Sequence, residues 1–193
     1  MKAMEEKIRK EGKVFPGNIL KVGSFLNHQL DADFLMDVGR EIADLYKDTK
    51  IDKIVTIETS GVAVAFAVAA ILHVPVVYAK KHRSSNLSSD LYSAVVHSFT
   101  HNADYTVYIS KEYLHEDEKI LIVDDFLAVG NALNGLMSII DQAKAQTVGI
   151  ATAIEKGFQG GGDAIRAKGI RVESMAIIDA MTDTDIVFRP QSR

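Results

Sequence analysis

Two adjacent carboxylates, Asp124 and Asp125, follow the apolar run Ile120-Leu121-Ile122-Val123 and precede a loop of mostly small side chains reaching Gly130. The apolar run fits a buried parallel strand, which places both acids where that strand should end. Helical spacing resumes near Asn131, so the stretch reads as strand, short loop, helix. That arrangement suits a sugar bearing a phosphate. The helix N-terminus offers unpaired N–H donors and the positive end of its dipole to the phosphate, and the acids can hold hydroxyls or a divalent cation. A solvated acid pair is the plainer alternative; Gly130 and the helix start just downstream favour a site.

Other chemistry-bearing residues fall at similar places. Glu58-Thr59-Ser60-Gly61 follows the first core strand, where a turn can either cap the next helix or face a ligand. Lys80-Lys81-His82-Arg83 is the densest positive cluster: a solvated charge run in the simplest view, or a local positive field that a net-acidic protein needs to hold a polyanion. Lys156 follows a strand end, and the amide of Asn27 can both donate and accept, which suits a purine edge as well as a cap. Phe126 and Phe158 could stack on a base, although core packing explains them more simply. Gly160-Gly161-Gly162 lacks the spacing of a dinucleotide fingerprint and precedes Asp163, a candidate helix cap, so it reads as a flexible connection. The six histidines show no zinc spacing.

The elements that must position these groups alternate. Helical spacing covers 4–12 and 33–47, with Phe34, Val38, Ile42 and Leu45 as a stripe after a cap at Asp31 or Asp33. Strand 51–57, helix 62–72 and strand 74–80 form a βαβ unit, hence two parallel neighbours. The serine-rich stretch 82–90 reads as a mobile loop, and 92–100 with 105–110 as a possible hairpin. Strand 120–124, helix 131–144, strand 148–155, a short helix near 163–168 and strand 171–178 complete the pattern. The architecture expected is α/β: a doubly wound, mainly parallel sheet flanked by helices, with ligands at the carboxyl ends of the strands.

A chain of 193 residues is enough for one such domain with a modest appendage. No apolar run approaches the roughly 20 residues that span a bilayer, and the first residues lack a secretory h-region. The absence of cysteine excludes a disulfide framework and thiolate metal sites, in keeping with a cytoplasmic setting. A net charge of −4 argues against nucleic acid as a partner.

The segment Val123-Asp124-Asp125-Phe126-Leu127-Ala128-Val129-Gly130-Asn131-Ala132 resembles the sugar-phosphate motif of the type I phosphoribosyltransferases. Val22-Gly23-Ser24-Phe25-Leu26-Asn27-His28-Gln29, Thr56 to Gly61, Lys80-Lys81-His82 and Ile154-Glu155-Lys156-Gly157-Phe158 extend the likeness over nearly the whole chain and are similar to the xanthine-using members. The resemblance implies transfer of a 5-phosphoribosyl group from phosphoribosyl diphosphate to N9 of xanthine in purine salvage, by a homodimer, with Mg²⁺ bound alongside the diphosphate substrate and not by direct side-chain ligation. It implies one domain, with a core over about 37–155 and a small hood from 1–36 with parts of 156–193. Ala128, Val129, Gly130, Asn131 and Ala132 are implied to line the 5′-phosphate, and Asp124 and Asp125 to face the ribose and magnesium. Glu58, Thr59, Ser60 and Gly61 are implied to form the diphosphate turn, Lys81 a basic contact, and Leu20, Asn27 and Lys156 the purine site.

Two departures stand out. Val129 replaces a threonine common in the family, and Ala128 replaces the aspartate that hypoxanthine and guanine enzymes are proposed to use on N7, which leaves the proton acceptor unassigned. A guanine or hypoxanthine enzyme, and a non-catalytic sensor of phosphoribosyl diphosphate, are the alternatives. The sensor would need a DNA-binding module, for which 1–36 is too short and too weakly basic.

Overall fold

The computed structural model describes residues 1–82, 90–98, 103–182 and 184–191, with the side chain of residue 98 excepted. The loop expected at 82–90 therefore lies outside the described residues over 83–89. The central sheet has six strands in the order β10 (Ile186–Phe188), β9 (Val172–Met181), β8 (Gln146–Lys156), β7 (Lys119–Leu127), β3 (Lys53–Ile57) and β4 (Val76–Ala79). All neighbours run parallel except β10, which pairs antiparallel with β9. The doubly wound expectation holds.

Period-two alternation sends successive side chains to opposite faces, and both faces are covered. Ile54, Leu121, Val123, Ala151 and Ala153 pack with the N-terminal helix α1 (Lys2–Glu11), with α2 (Ala32–Leu45) and with α3 (Gly61–Leu72). On the other face Val55, Ile120, Ile122 and Ile150 meet Leu133, Leu136, Ile139 and Ile140 of α4 (Asn131–Gln142). The hairpin β5 (Leu91–Ser98) and β6 (Ala103–Ser110) lies over α4 through Val96, Val107 and Ile109. Close approach of α2 to α3 needs Gly39, because a Cβ there would sit 2.7 Å from the Ala67 carbonyl carbon. Asp31, not Asp33, caps α2: its Oδ1 accepts from the Phe34 N–H at 3.2 Å. The 36/37 boundary expected between hood and core falls inside α2. No helix among the described residues is long and apolar enough to cross a membrane.

Three features differ from the reading of the sequence. β7 runs on through both acids to Leu127, because β8 is long enough to keep pairing with it as far as Leu127↔Glu155. β3, by contrast, pairs with it only as far as Val55↔Ile122. The acids thus lie inside a strand, at the point where one neighbour has dropped away. A small hairpin, β1 (Lys13–Phe15) with β2 (Ile19–Lys21), turns through Gly17 and Asn18, both at positive φ. The glycine triplet is no loose connection: Gly160 ends a short turn at φ 74°, and Gly161–Arg166 form α5, with Asp163 in its first turn and not at its cap.

Candidate active site

Asp124 and Asp125 are almost fully buried at the carboxyl end of β7, 4% and 7% exposed. Burial pushes the Asp124 carboxyl well above the usual carboxylate range, and the neighbouring charge of Asp125 pushes it further. The Asp125 N–H, which donates to Asp124 Oδ1 at 2.9 Å, and the charge of Lys81 oppose the rise. An acid that keeps its proton to higher pH folded than unfolded loses folding stability as pH climbs from about 4 towards its raised value. Asp124→Asn should therefore melt at a higher temperature than the wild type at neutral pH, the two converging below about pH 4. Each kcal/mol relieved is worth roughly 2–4 °C in Tm for a chain this long, so calorimetry across pH will read it. A variant with lower Tm at neutral pH would show that the carboxyl is not under that strain.

The turn after β3 faces the same acids. A Cβ on Gly61 would collide with Thr56 Oγ1 and Asp124 Oδ1, so glycine is what lets α3 begin this close to β7. Glu58 Oε1 accepts from the Lys81 N–H at 2.6 Å, which ties the turn to the basic segment. Lys81 Nζ lies 5.5 Å from the Tyr105 ring centre, and its charge is felt at Asp124. The structure thus brings together Glu58 to Gly61, Lys81 and the acid pair. The Glu58–Thr59 peptide is cis.

Beyond β7 the chain passes Ala128 and Val129 to Gly130, whose φ of 88° only glycine adopts freely, and enters α4 at Asn131. The first turn of α4 directs unpaired N–H groups at this loop. A cavity of about 180 Å³ lies here, lined by Tyr105, Phe126, Ala128, Gly130, Asn131 and Ala132 among others. Asn131 Nδ2 donates to the His97 carbonyl at 3.0 Å, so that side chain holds α4 to the hairpin and the main chain supplies the other donors. A larger cavity of about 540 Å³ sits against the outer edge at Tyr78, Tyr108 and Tyr113. The larger cavity has no α-helix start, whereas the smaller one opens on the first turn of α4 and on the loop that follows the acid pair along β7.

Two of the three expected purine residues, Asn27 and Lys156, come to the same end of β7. Asn27 closes a π-helical turn (Gly23–Asn27) and its Nδ2 donates to Asp125 Oδ2 at 3.2 Å. Lys156, at the end of β8, donates to the Asn18 carbonyl at 2.9 Å and lies 5.9 Å from the Phe126 ring centre. Its half-buried position lowers its pKa from the ordinary lysine value. Leu20 is buried on β2, two residues beyond Asn18. Phe126 and Phe158 both pack against the hydrophobic core, as the simpler explanation had it.

Tyr105 and His97 adjoin this site without any cue in the sequence, and Gly161 does so although its triplet reads as a flexible connection. A Cβ on Gly161 would overlap the Ala128 carbonyl oxygen and stand 2.7 Å from the Gly130 nitrogen, so α5 starts flush against the loop's backbone. Glu155, fully buried, holds Arg166 through two bonds of 2.8 and 2.7 Å and also accepts from Ser174 Oγ.

The family model for the phosphoribosyl transferase domain matches residues 27–180. A xanthine phosphoribosyltransferase of Alkaliphilus metalliredigens is 51% identical over 98% of this chain and 94% of its own length. One from Clostridium perfringens is 50% identical over 98% of this chain and the whole of its own. Among solved structures, adenine phosphoribosyltransferase from Leishmania tarentolae superposes with a TM-score of 0.76 at 16% identity, over 94% of this chain and 90% of that one. The Giardia lamblia enzyme complexed with 9-deazaadenine does so with a TM-score of 0.75 at 23% identity, over 90% and 96%. These structures share the fold. With the family model across most of the chain and full-length relatives at half identity, the chain belongs to the phosphoribosyltransferase family.

Proposed function

We propose that the protein transfers the 5-phosphoribosyl group from phosphoribosyl diphosphate to N9 of xanthine, giving xanthosine 5′-monophosphate and diphosphate in purine salvage. One observation carries the reading: Asn27, from the purine side, bonds directly to Asp125 of the acid pair, so base and sugar would meet where the new bond forms. The names of the full-length relatives supply the base. In this reading Asp124 and Asp125 hold the ribose as positive charge grows at its C1, and the amides of Ala128 to Ala132 hold the 5′-phosphate. Glu58 to Gly61 and Lys81 receive the departing diphosphate, while Leu20, Asn27 and Lys156 hold the base. Most of the acceleration comes from positioning and electrostatics, with no covalent enzyme intermediate.

Among the described residues no group of three or more His, Asp or Glu could hold a metal ion unaided. The buried acid pair nonetheless suits a hard cation held through the substrate's own oxygens, to which it would add nearby negative charge without ligating it directly. Magnesium bound with phosphoribosyl diphosphate would neutralise charge growing on the leaving diphosphate.

Residues 1–36, with parts of 156–193, are read as a hood over the base; the Lys156–Asn18 bond joins its two pieces. A cytoplasmic homodimer is the assembly we propose, as the family resemblance implies; exposed Phe66, Tyr78 and Tyr113 are apolar surface available to a partner copy. Light scattering at the mass of a single chain would refute the dimer.

Xanthine and guanine differ at C2, oxo against amino, so a xanthine site must present a donor there. Asn27 and backbone N–H groups near Leu20 are the candidates. Since a polar site discriminates strongly against a mismatched group, kcat/KM should favour xanthine over guanine and hypoxanthine by about 10² or more. A preference for guanine in that three-base comparison would overturn the substrate assignment. The phosphate side has its own check. Gly161→Ala must push the 128–130 backbone away, which should raise KM for phosphoribosyl diphosphate about tenfold in steady-state assays. An unchanged KM would detach that loop from the phosphate.

A further inference from the structure

We infer that α5 is a strut fixing the spacing between the phosphoribosyl and base halves of the site, with Arg166 and Asp163 as its positioning residues; this rests on the function proposed above. The helix touches both halves. At its start Gly161 abuts the backbone of Ala128 to Gly130, and the Ile165 side chain would lie 3.4 Å from a Cβ on Gly130. Along its body Gly162 lies flat on the Glu155 carboxylate, where any Cβ would overlap Oε1. Arg166 then grips both oxygens of Glu155, the residue immediately before Lys156. A second clamp works from outside. Asp163 accepts from Arg166 Nη1 at 3.2 Å and from Arg189 Nη1 at 3.1 Å, and Arg189 Nε donates to Asp179 at 2.8 Å. Arg189 also packs beside Gly157, just after Lys156. Bidentate guanidinium pairs hold direction as well as distance, so the two arginines set where the 156–157 backbone lies relative to the loop at 128–130.

A structural ion pair would affect melting alone; a strut affects binding of both substrates. Arg166→Lys keeps the charge and loses the fork. Asp163→Asn takes the charge and one acceptor oxygen from the outer clamp while leaving the Glu155–Arg166 pair in place. Lys53→Met, which removes a buried ammonium bonded to Glu118 and to the Tyr113 carbonyl at the amino end of β3, the opposite end of the sheet from the strut, controls for lost stability. With the full-length wild type alongside, well below each melting temperature, Arg166→Lys should raise KM for phosphoribosyl diphosphate and for xanthine about tenfold each. Asp163→Asn should raise KM for phosphoribosyl diphosphate about three- to tenfold, and kcat of both variants should stay within about threefold of wild type. Values of KM matching Lys53→Met within twofold overturn the strut; if Arg166→Lys does not melt cooperatively, Asp163→Asn decides alone. A wild type that makes no nucleotide from xanthine counts against the proposed reaction, whereas an active wild type with unaltered variants counts only against the strut.

Discussion

Asp125→Asn is expected to lower kcat by roughly 10²–10³-fold, the cost of removing one preorganised group from a developing charge, while Tm stays level or rises. The change preserves shape, and the new amide oxygen can still accept from Asn27 Nδ2, now at 3.2 Å from the carboxylate. What disappears is negative charge in a site 7% exposed, where electrostatic interactions are weakly screened. The same change relieves Asp124, whose carboxyl is pushed up partly by the charge of Asp125. Loss of activity without loss of stability is the signature of a group retained for chemistry at some cost to the fold. Single-turnover kinetics with phosphoribosyl diphosphate, paired with melting curves, read both quantities. A kcat within threefold of wild type would remove Asp125 from the reaction.

The parts legible in the sequence are those in which local pattern and tertiary role coincide. Ile120 to Val123 could be little but a buried strand, and 51–80 declared a parallel βαβ unit through its run of apolar residues, small-residue helix and second strand. The two acids were conspicuous for the same reason: ionisable groups inside an apolar run require an explanation. What stayed hidden depends on contacts between distant residues. β7 outlasts its expected end because β8, some 28 residues on, keeps hydrogen-bonding to it; no feature of Asp124-Asp125-Phe126 announces that. The β1–β2 hairpin has three residues per strand, with lysines at both ends, too short for alternation to register. Gly160 to Gly162 misled most. Three glycines look alike in sequence whether they are loose or squeezed, and what decides is the 128–130 backbone and the Glu155 carboxylate pressed against them. Glu155 itself carried no hint of its partner eleven positions away.

That buried partner sets the largest stability effect expected in the molecule. Glu155 is fully buried, whereas the Arg166 side chain that neutralises it is 29% exposed. Arg166→Met removes the guanidinium and both bonds to the carboxylate, leaving Ser174 Oγ as the described side-chain donor to it. Stranding one member of a buried ion pair costs about 3–5 kcal/mol, because the remaining charge has lost its compensation and cannot regain water. At roughly 2–4 °C per kcal/mol the melting temperature should fall by about 6–20 °C. Removing the charge as well should reverse most of that loss: Glu155→Gln on the Arg166→Met background leaves a neutral amide that Ser174 can still bond, at a much smaller desolvation cost. The cycle of two single variants and the double variant, followed by calorimetry, isolates the pair from the packing lost with the arginine stem. If the double variant melts no higher than Arg166→Met, the pair's charge is not what holds α5 to β8, and shape complementarity at Gly162 must do so instead.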